Sequence, residues 1–118
     1  MLFRSTRTAS ITGACVALVD AFDWLARRTG QPSPFGSLVA AVSVGLVENQ
    51  VMLDLAYTED KDAQVDANVV MLAPNDFVEL QGTGENGTFT RSQFDQILET
   101  AERGIASLFE AQRKALGW

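Results

Sequence analysis

Histidine is absent from this sequence, and cysteine occurs once. With no imidazole, neither a Ser–His–Asp nor a Cys–His nucleophile can be assembled, and zinc sites that use histidine are excluded. Cys15 has no partner for an internal disulfide, and on an apolar helical stripe it reads as a small buried hydrophobe, not a nucleophile. A basic excess is lacking too. Nine Lys and Arg against fifteen Asp and Glu give a formal net charge of −6, the wrong sign for a protein that coats nucleic acid along its length. That balance still permits an enzyme that grips one nucleic-acid end, or a site whose cations come from elsewhere. No apolar run approaches the ~20 residues that cross a bilayer. The first ten residues also lack the apolar stretch of a secretory signal. A cytoplasmic protein with no membrane partner is the expectation. Carboxylates, arginines, hydroxyls and backbone amides remain for chemistry.

The hydrophobic share of 47% suits one globular domain with a real core. Residues 8–28 predict a helix in which Ile11, Cys15, Leu18, Val19, Phe22 and Leu25 form an apolar face. Gly13, Ala14, Ala17 and Ala21 lie between them, small enough for close packing. Arg27 and Arg28 suit the negative end of the helix dipole, Gly30 stops the helix, and Pro32 and Pro34 keep the next loop irregular. From residue 38 the period becomes two. Val42, Val44 and Leu46 alternate with Ala41, Ser43 and Gly45, as in a half-buried strand, and Glu48-Asn49 turns the chain into a second strand over 50–55. An acidic stretch over 57–66 leads to a nearly continuous apolar strand, 68–72, which predicts cover on both faces. Pro74-Asn75-Asp76 makes a turn, 77–81 a fourth strand, and 82–87 a glycine-rich loop. Thr90-Arg91-Ser92-Gln93 matches a capping box. Phe94, Ile97, Leu98, Ala101, Ile105, Leu108 and Phe109 then carry an amphipathic helix to about residue 115. The order helix–four strands–helix predicts an α+β fold with helices on one face of a mostly antiparallel sheet. The first helix begins with no strand leading into it, so the start reads as cut. The small-residue face of that helix and one edge of the sheet are then expected to lie uncovered.

Three segments hold candidate chemistry. Thr6-Arg7-Thr8-Ala9-Ser10 sets an arginine and three hydroxyls at a predicted helix start, where free N–H groups and the dipole favour an anion. An ordinary Ser/Thr N-cap with a solvated arginine is the commoner use of such residues. Between Asp54 and Asp66, carboxylates leave one strand, cross a loop and enter the next. Asp60 and Asp66 flank the loop and suit a Mg²⁺ held through oxygen atoms and waters, or general-acid work. A solvated acidic loop is the plainer alternative, except at Asp66, which adjoins an apolar strand where an unpartnered charge is costly. Glu79 and Gln81 share a sheet face ahead of Gly82 and Gly84; a plain strand and flexible loop explain them equally well.

Thr-Arg-Thr-Ala-Ser-Ile-Thr-Gly-Ala (6–14), Ala-Ala-Val-Ser-Val-Gly (40–45), the acidic loop into Val-Asp-Ala-Asn-Val-Val (65–70), and Phe-Val-Glu-Leu-Gln-Gly-Thr (77–83) together resemble ribonuclease PH. Order and spacing agree over residues 6–116. No one segment is decisive; four in register are a strong signal.

The resemblance implies half of a ribosomal-protein-S5-domain-2-like fold, a single domain over 6–118, in a family that forms hexameric rings of dimers. It implies a phosphorolytic 3′→5′ exoribonuclease acting on RNA 3′ ends, notably tRNA precursors, with inorganic phosphate as co-substrate and nucleoside diphosphates as product. By the same resemblance Thr6 and Arg7 bind phosphate, and Asp60 and Asp66 serve Mg²⁺ binding and acid catalysis. Ser5 stands at the motif's glycine, and Ala56 and Ala67 where relatives often carry aspartate and methionine. The family's first half, with a further phosphate-binding arginine, is missing, so the chain alone is expected to be inactive. Residues 1–5 match nothing before the motif and read as a non-native leader. The alternative is a ring subunit or RNA-binding module of the same fold without catalysis, against which Arg7, Asp60 and Asp66 together speak.

Overall fold

The structure, a computed structural model, describes residues 2–53 and 63–118, with side chains from Thr6 onward. The elements are α1 (Leu2–Thr29), β1 (Val39–Val47), β2 (Gln50–Leu53), β3 (Val65–Leu72), β4 (Asp76–Gly84) and α2 (Arg91–Leu116). The strands form one sheet in the order β2–β1–β3–β4, and each neighbouring pair is antiparallel. The α+β class and the order of elements are those expected from periodicity.

The core lies between the sheet and α2. Val42, Val44 and Leu46 of β1 and Val65, Ala67, Val69 and Met71 of β3 share the face that meets Ile97, Ala101, Ile105 and Phe109. These four recur at helical spacing, so one stripe of α2 is buried and the rest stays polar. The helix opens as the capping box predicts. Gln93 N–H donates to Thr90 Oγ1 over 3.1 Å, and Thr90 N–H donates to Gln93 Oε1 over 2.9 Å. It closes on Gly117 in the left-handed region at φ 74°, which a glycine enters without the steric penalty of a Cβ. Gly104 permits the close helix–sheet approach: a Cβ there would press on the Leu53 methyls.

β1 is buried on both faces, where alternation predicted one. The reason is α1, which crosses the edge of β1 that β2 leaves open. Among the described residues β2 pairs with Val44 to Val47, and backbone groups nearer the start of β1 find partners on the helices. The Ala41 N–H donates to Thr12 Oγ1 over 3.1 Å, and the Val39 N–H to Cys15 Sγ over 3.4 Å. Gln112 of α2 donates through Nε2 to both Thr12 O (3.1 Å) and Val39 O (2.8 Å). One amide thus ties both helices to the strand edge.

The buried stripe of α1 therefore differs from the predicted one. Thr8, Cys15 and Val19 are buried and Thr12 partly so, whereas Leu18, Trp24 and Leu25 are about half exposed. Hydroxyls replace leucines because a strand edge offers backbone donors and acceptors, not only apolar surface. Gly13, Ala14, Ala17 and Ala21 face outward, and a Cβ on Gly13 would meet nothing. Residues 6–29 also correct the reading of hydropathy. Although the segment is interrupted by charges, an 18-residue window within it averages 1.4 in mean hydropathy, so by length and composition alone this helix is long and apolar enough to cross a membrane. Its buried residues Cys15 and Val19 belong to the core beside β1.

β3 starts three residues before the predicted strand and is covered on both faces, as its apolar run implied. β4 continues past Gln81 through Gly84, taking in residues expected to form a loop. A Cβ on Gly84 would run into the Gly87 carbonyl oxygen, so this glycine is needed by the turn itself. The helices' main contacts are with β1, β2 and β3, and β4 is the exposed strand, with Phe77, Val78 and Leu80 open to solvent. The end of the predicted second strand and most of the acidic loop, Asp60 included, fall outside the described residues.

Candidate active site

The sheet face turned away from α2 is polar, and register sets its rows. Ala41, Val70 and Glu79 form one cross-strand row, Ser43, Asn68 and Gln81 the next, and Gly45, Asp66 and Thr83 the third. Ser43, Asn68 and Asp66 are each only 3% exposed. In the middle row the Ser43 hydroxyl donates to Asn68 Oδ1 over 2.9 Å, and Asn68 Nδ2 donates to Gln81 Oε1 over 3.4 Å. Thr8 of α1 extends the chain, its Oγ1 lying 3.5 Å from Ser43 Oγ.

Arg7, one residue earlier on α1, reaches the outer strand. Its Nη2 donates to Glu79 Oε1 at 3.0 Å and lies 3.4 Å from Oε2. Arg7, Glu79, Asn68 and Gln81, with Leu80, line an open cleft of about 610 Å³. Among the described lining residues Arg7 supplies the positive charge. A guanidinium offers five donors in a rigid plane, which suits a phosphate or carboxylate.

The proposed anion site does not use a helix N-terminus. α1 begins at Leu2, so Thr6 and Arg7 lie in its second turn. The unpaired N–H groups of a first turn belong to earlier residues, and Ser10 Oγ donates to the Thr6 carbonyl over 2.7 Å as an ordinary in-helix bond. Thr6 and Arg7 are exposed side chains on the helix surface, and any anion here is held by side chains.

Asp66 stands inside β3, flanked across the ladders by Gly45 and Thr83. Gly45 brings no side chain to that row. Asp66 is on the same face as Asn68 and four residues along β3 from Val70, the row of Glu79, or about 13 Å of strand. Arg7 and Asp66 thus lie toward the same polar face, Arg7 beside the row of Glu79 and Asp66 in the third row. Among the described residues no three His, Cys, Asp or Glu side chains gather into a metal cage. Mg²⁺ needs none, since it commonly takes one or two carboxylates and fills its other positions with water and phosphate oxygens. A buried carboxylate on this face fits as one such ligand.

Sequence reading had the loop carboxylates, Arg7 and the Thr8 hydroxyl, and left Glu79 and Gln81 open between a ligand-facing strand and a plain one, but did not single out Ser43 or Asn68. The available signal was Asn68 itself, an amide within an otherwise apolar run in a strand covered on both faces.

Residues 37–104 match the model of the 3′ exoribonuclease family, domain 2, over more than half of the chain. The chain belongs to the 3′ exoribonuclease family. The matched segment contains Ser43, Asp60, Asp66, Asn68, Glu79 and Gln81. A ribonuclease PH from Corynebacterium glutamicum (strain R) is 58% identical over 113 residues, which cover 95% of this chain and 46% of that protein. The family chain described here therefore spans about half the length of that curated relative. The fold is shared with rice (Oryza sativa) Rrp46, whose crystal structure superposes with a TM-score of 0.63 at 21% identity, covering 92% of this chain and 45% of that one.

Proposed function

We propose that this chain supplies the C-terminal half of the active site of a phosphorolytic 3′→5′ exoribonuclease, acting on RNA 3′ ends such as those of tRNA precursors. The observation that carries the reading is the shared polar sheet face, with Arg7 over one end and the buried Asp66 at the other. The sequence likeness to a ribonuclease PH supports it.

In this reading Arg7 and the Thr6 hydroxyl hold inorganic phosphate beside the terminal phosphodiester. A phosphate oxygen bonds to the terminal phosphorus, the bond from that phosphorus to the 3′ oxygen of the preceding nucleotide breaks, and a nucleoside diphosphate leaves. The shortened RNA regains a 3′ hydroxyl by taking a proton. Asp66 and Asp60 would hold Mg²⁺, which supplies charge stabilisation to phosphoryl oxygens when bound. Asn68, Gln81 and Ser43 make the floor of the cleft rigid through their shared hydrogen bonds, so bound groups meet fixed dipoles. The net charge of −6 favours capture of RNA with the help of cations from another segment or subunit. We place the chain with the remaining half of such an enzyme, in the ring assembly that the resemblance implies, in the cytoplasm.

The test is direct. The chain is incubated with a 3′-extended tRNA, Mg²⁺ and phosphate, alone and with the N-terminal half of the C. glutamicum relative, and nucleoside diphosphates are measured. Product that needs both pieces, phosphate and Arg7 is expected. Failure of the combined pieces, each shown to be folded and associated, would defeat the proposal. Phosphate-dependent product from the chain alone would show that no second half is needed.

A further inference from the structure

Glu79 is a carboxylate in a cleft assigned to an anion, and its presence there requires a reason. A negative side chain opposes a bound phosphate unless it does something for the cation that binds it. The geometry shows what. Both carboxylate oxygens approach a single nitrogen of Arg7, Nη2, at 3.0 and 3.4 Å. Nη1 and Nε make no hydrogen bond to Glu79, so the other edge of the guanidinium fork is left out of this contact. The contact joins α1 to β4 across 72 positions of sequence, so neighbouring geometry does not impose it. Gln81, the next residue on that face, is engaged with Asn68 and does not compete for the guanidinium.

We infer that Glu79 is a positioning residue: it fixes Arg7 over the cleft by one guanidinium nitrogen and leaves the opposite edge to receive inorganic phosphate. The role rests on the phosphate-binding reading of Arg7 above. Two opposing effects set its size. A free arginine samples many rotamers, and freezing it on binding subtracts from affinity. Repulsion between Glu79 and phosphate acts across the guanidinium in an open cleft, where water and salt screen it. The side chains are 46% and 41% exposed, so the gain is modest, and ordering outweighs the screened repulsion.

Inorganic phosphate is titrated into the 118-residue chain by calorimetry at fixed ionic strength, for the native protein, Glu79→Ala, Glu79→Gln and Arg7→Ala. The native chain is expected to bind phosphate and Arg7→Ala to lose it. Glu79→Ala should bind about three- to fivefold more weakly with its melting midpoint unchanged. Glu79→Gln keeps an oxygen acceptor for Nη2 and should recover to within about twofold of native. Glu79→Ala binding as tightly as native, or tighter, would sink the inference while leaving the Arg7 site standing. Phosphate binding that is absent in the native chain, or unaffected by Arg7→Ala, would remove the site and this role with it. A second measurement needs no variant: ¹⁵N spectra of the Arg7 guanidinium should show hindered rotation in the phosphate-free chain. A freely averaging signal would overturn the role whatever the variants do.

Discussion

Ser43 and Asn68 face each other across the β1–β3 ladder, joined by a 2.9 Å hydrogen bond with both side chains 3% exposed. A buried acceptor that loses its donor retains the full desolvation penalty. Ser43→Ala should therefore destabilise the chain by about 1–3 kcal/mol, and Ser43→Thr, which keeps the hydroxyl, by less if its methyl is accommodated. Urea unfolding checks both. Equal stability of Ser43→Ala and the native chain would mean that water replaces the lost bond.

The clamp of α1 on the open edge of β1 gives a second expectation. Thr12→Val keeps the shape but removes the acceptor of the Ala41 N–H. Hydrogen exchange at Ala41 should accelerate, with a stability loss of about 1–2 kcal/mol. Gln112→Leu removes the donor to two carbonyls at once and should cost at least as much. If Ala41 exchange is unchanged in Thr12→Val, the edge is protected by something other than this hydroxyl.

Helix α2 depends on its first turn. Thr90→Ala removes one half of the capping box, and a loss of about 1 kcal/mol is expected. Thr90→Ser should retain most of the stability. Thermal melts of the three proteins rank them; an alanine variant as stable as native would count against the cap as a local stabiliser.

Mg²⁺ should stabilise the chain through Asp66. A ligand present at ten times its dissociation constant raises the unfolding free energy by about 1.4 kcal/mol. The melting midpoint of the native chain should rise on addition of Mg²⁺ and fall back on chelation, and Asp66→Asn should lose the response. A shift of equal size in Asp66→Asn would place the ion elsewhere.

Much of the fold was legible in residue spacing, because helix and strand periods act over a few neighbours. The apolar stripe of α2, its cap at Thr90 and Gln93, and the apolar run of β3 each specify local structure whatever the remainder of the chain does. Boundaries were less legible. Asp66 and Gly82 look like loop residues by type, yet both lie inside strands. Hydrogen bonding to a neighbouring strand overrides local preference.

The site divides along the same line. By itself the sequence determined the order of elements, the want of histidine chemistry, and the candidacy of Arg7 and Asp66. The tertiary structure decided that Thr6 and Arg7 sit within a helix and not at its start, and that Arg7 meets Glu79. It also decided that Thr8, Ser43, Asn68 and Gln81 form one connected row. The physical reason is register. Ser43, Asn68 and Gln81 occupy three strands, and only the antiparallel pairing of β1 with β3 and β3 with β4 sets them side by side on one face.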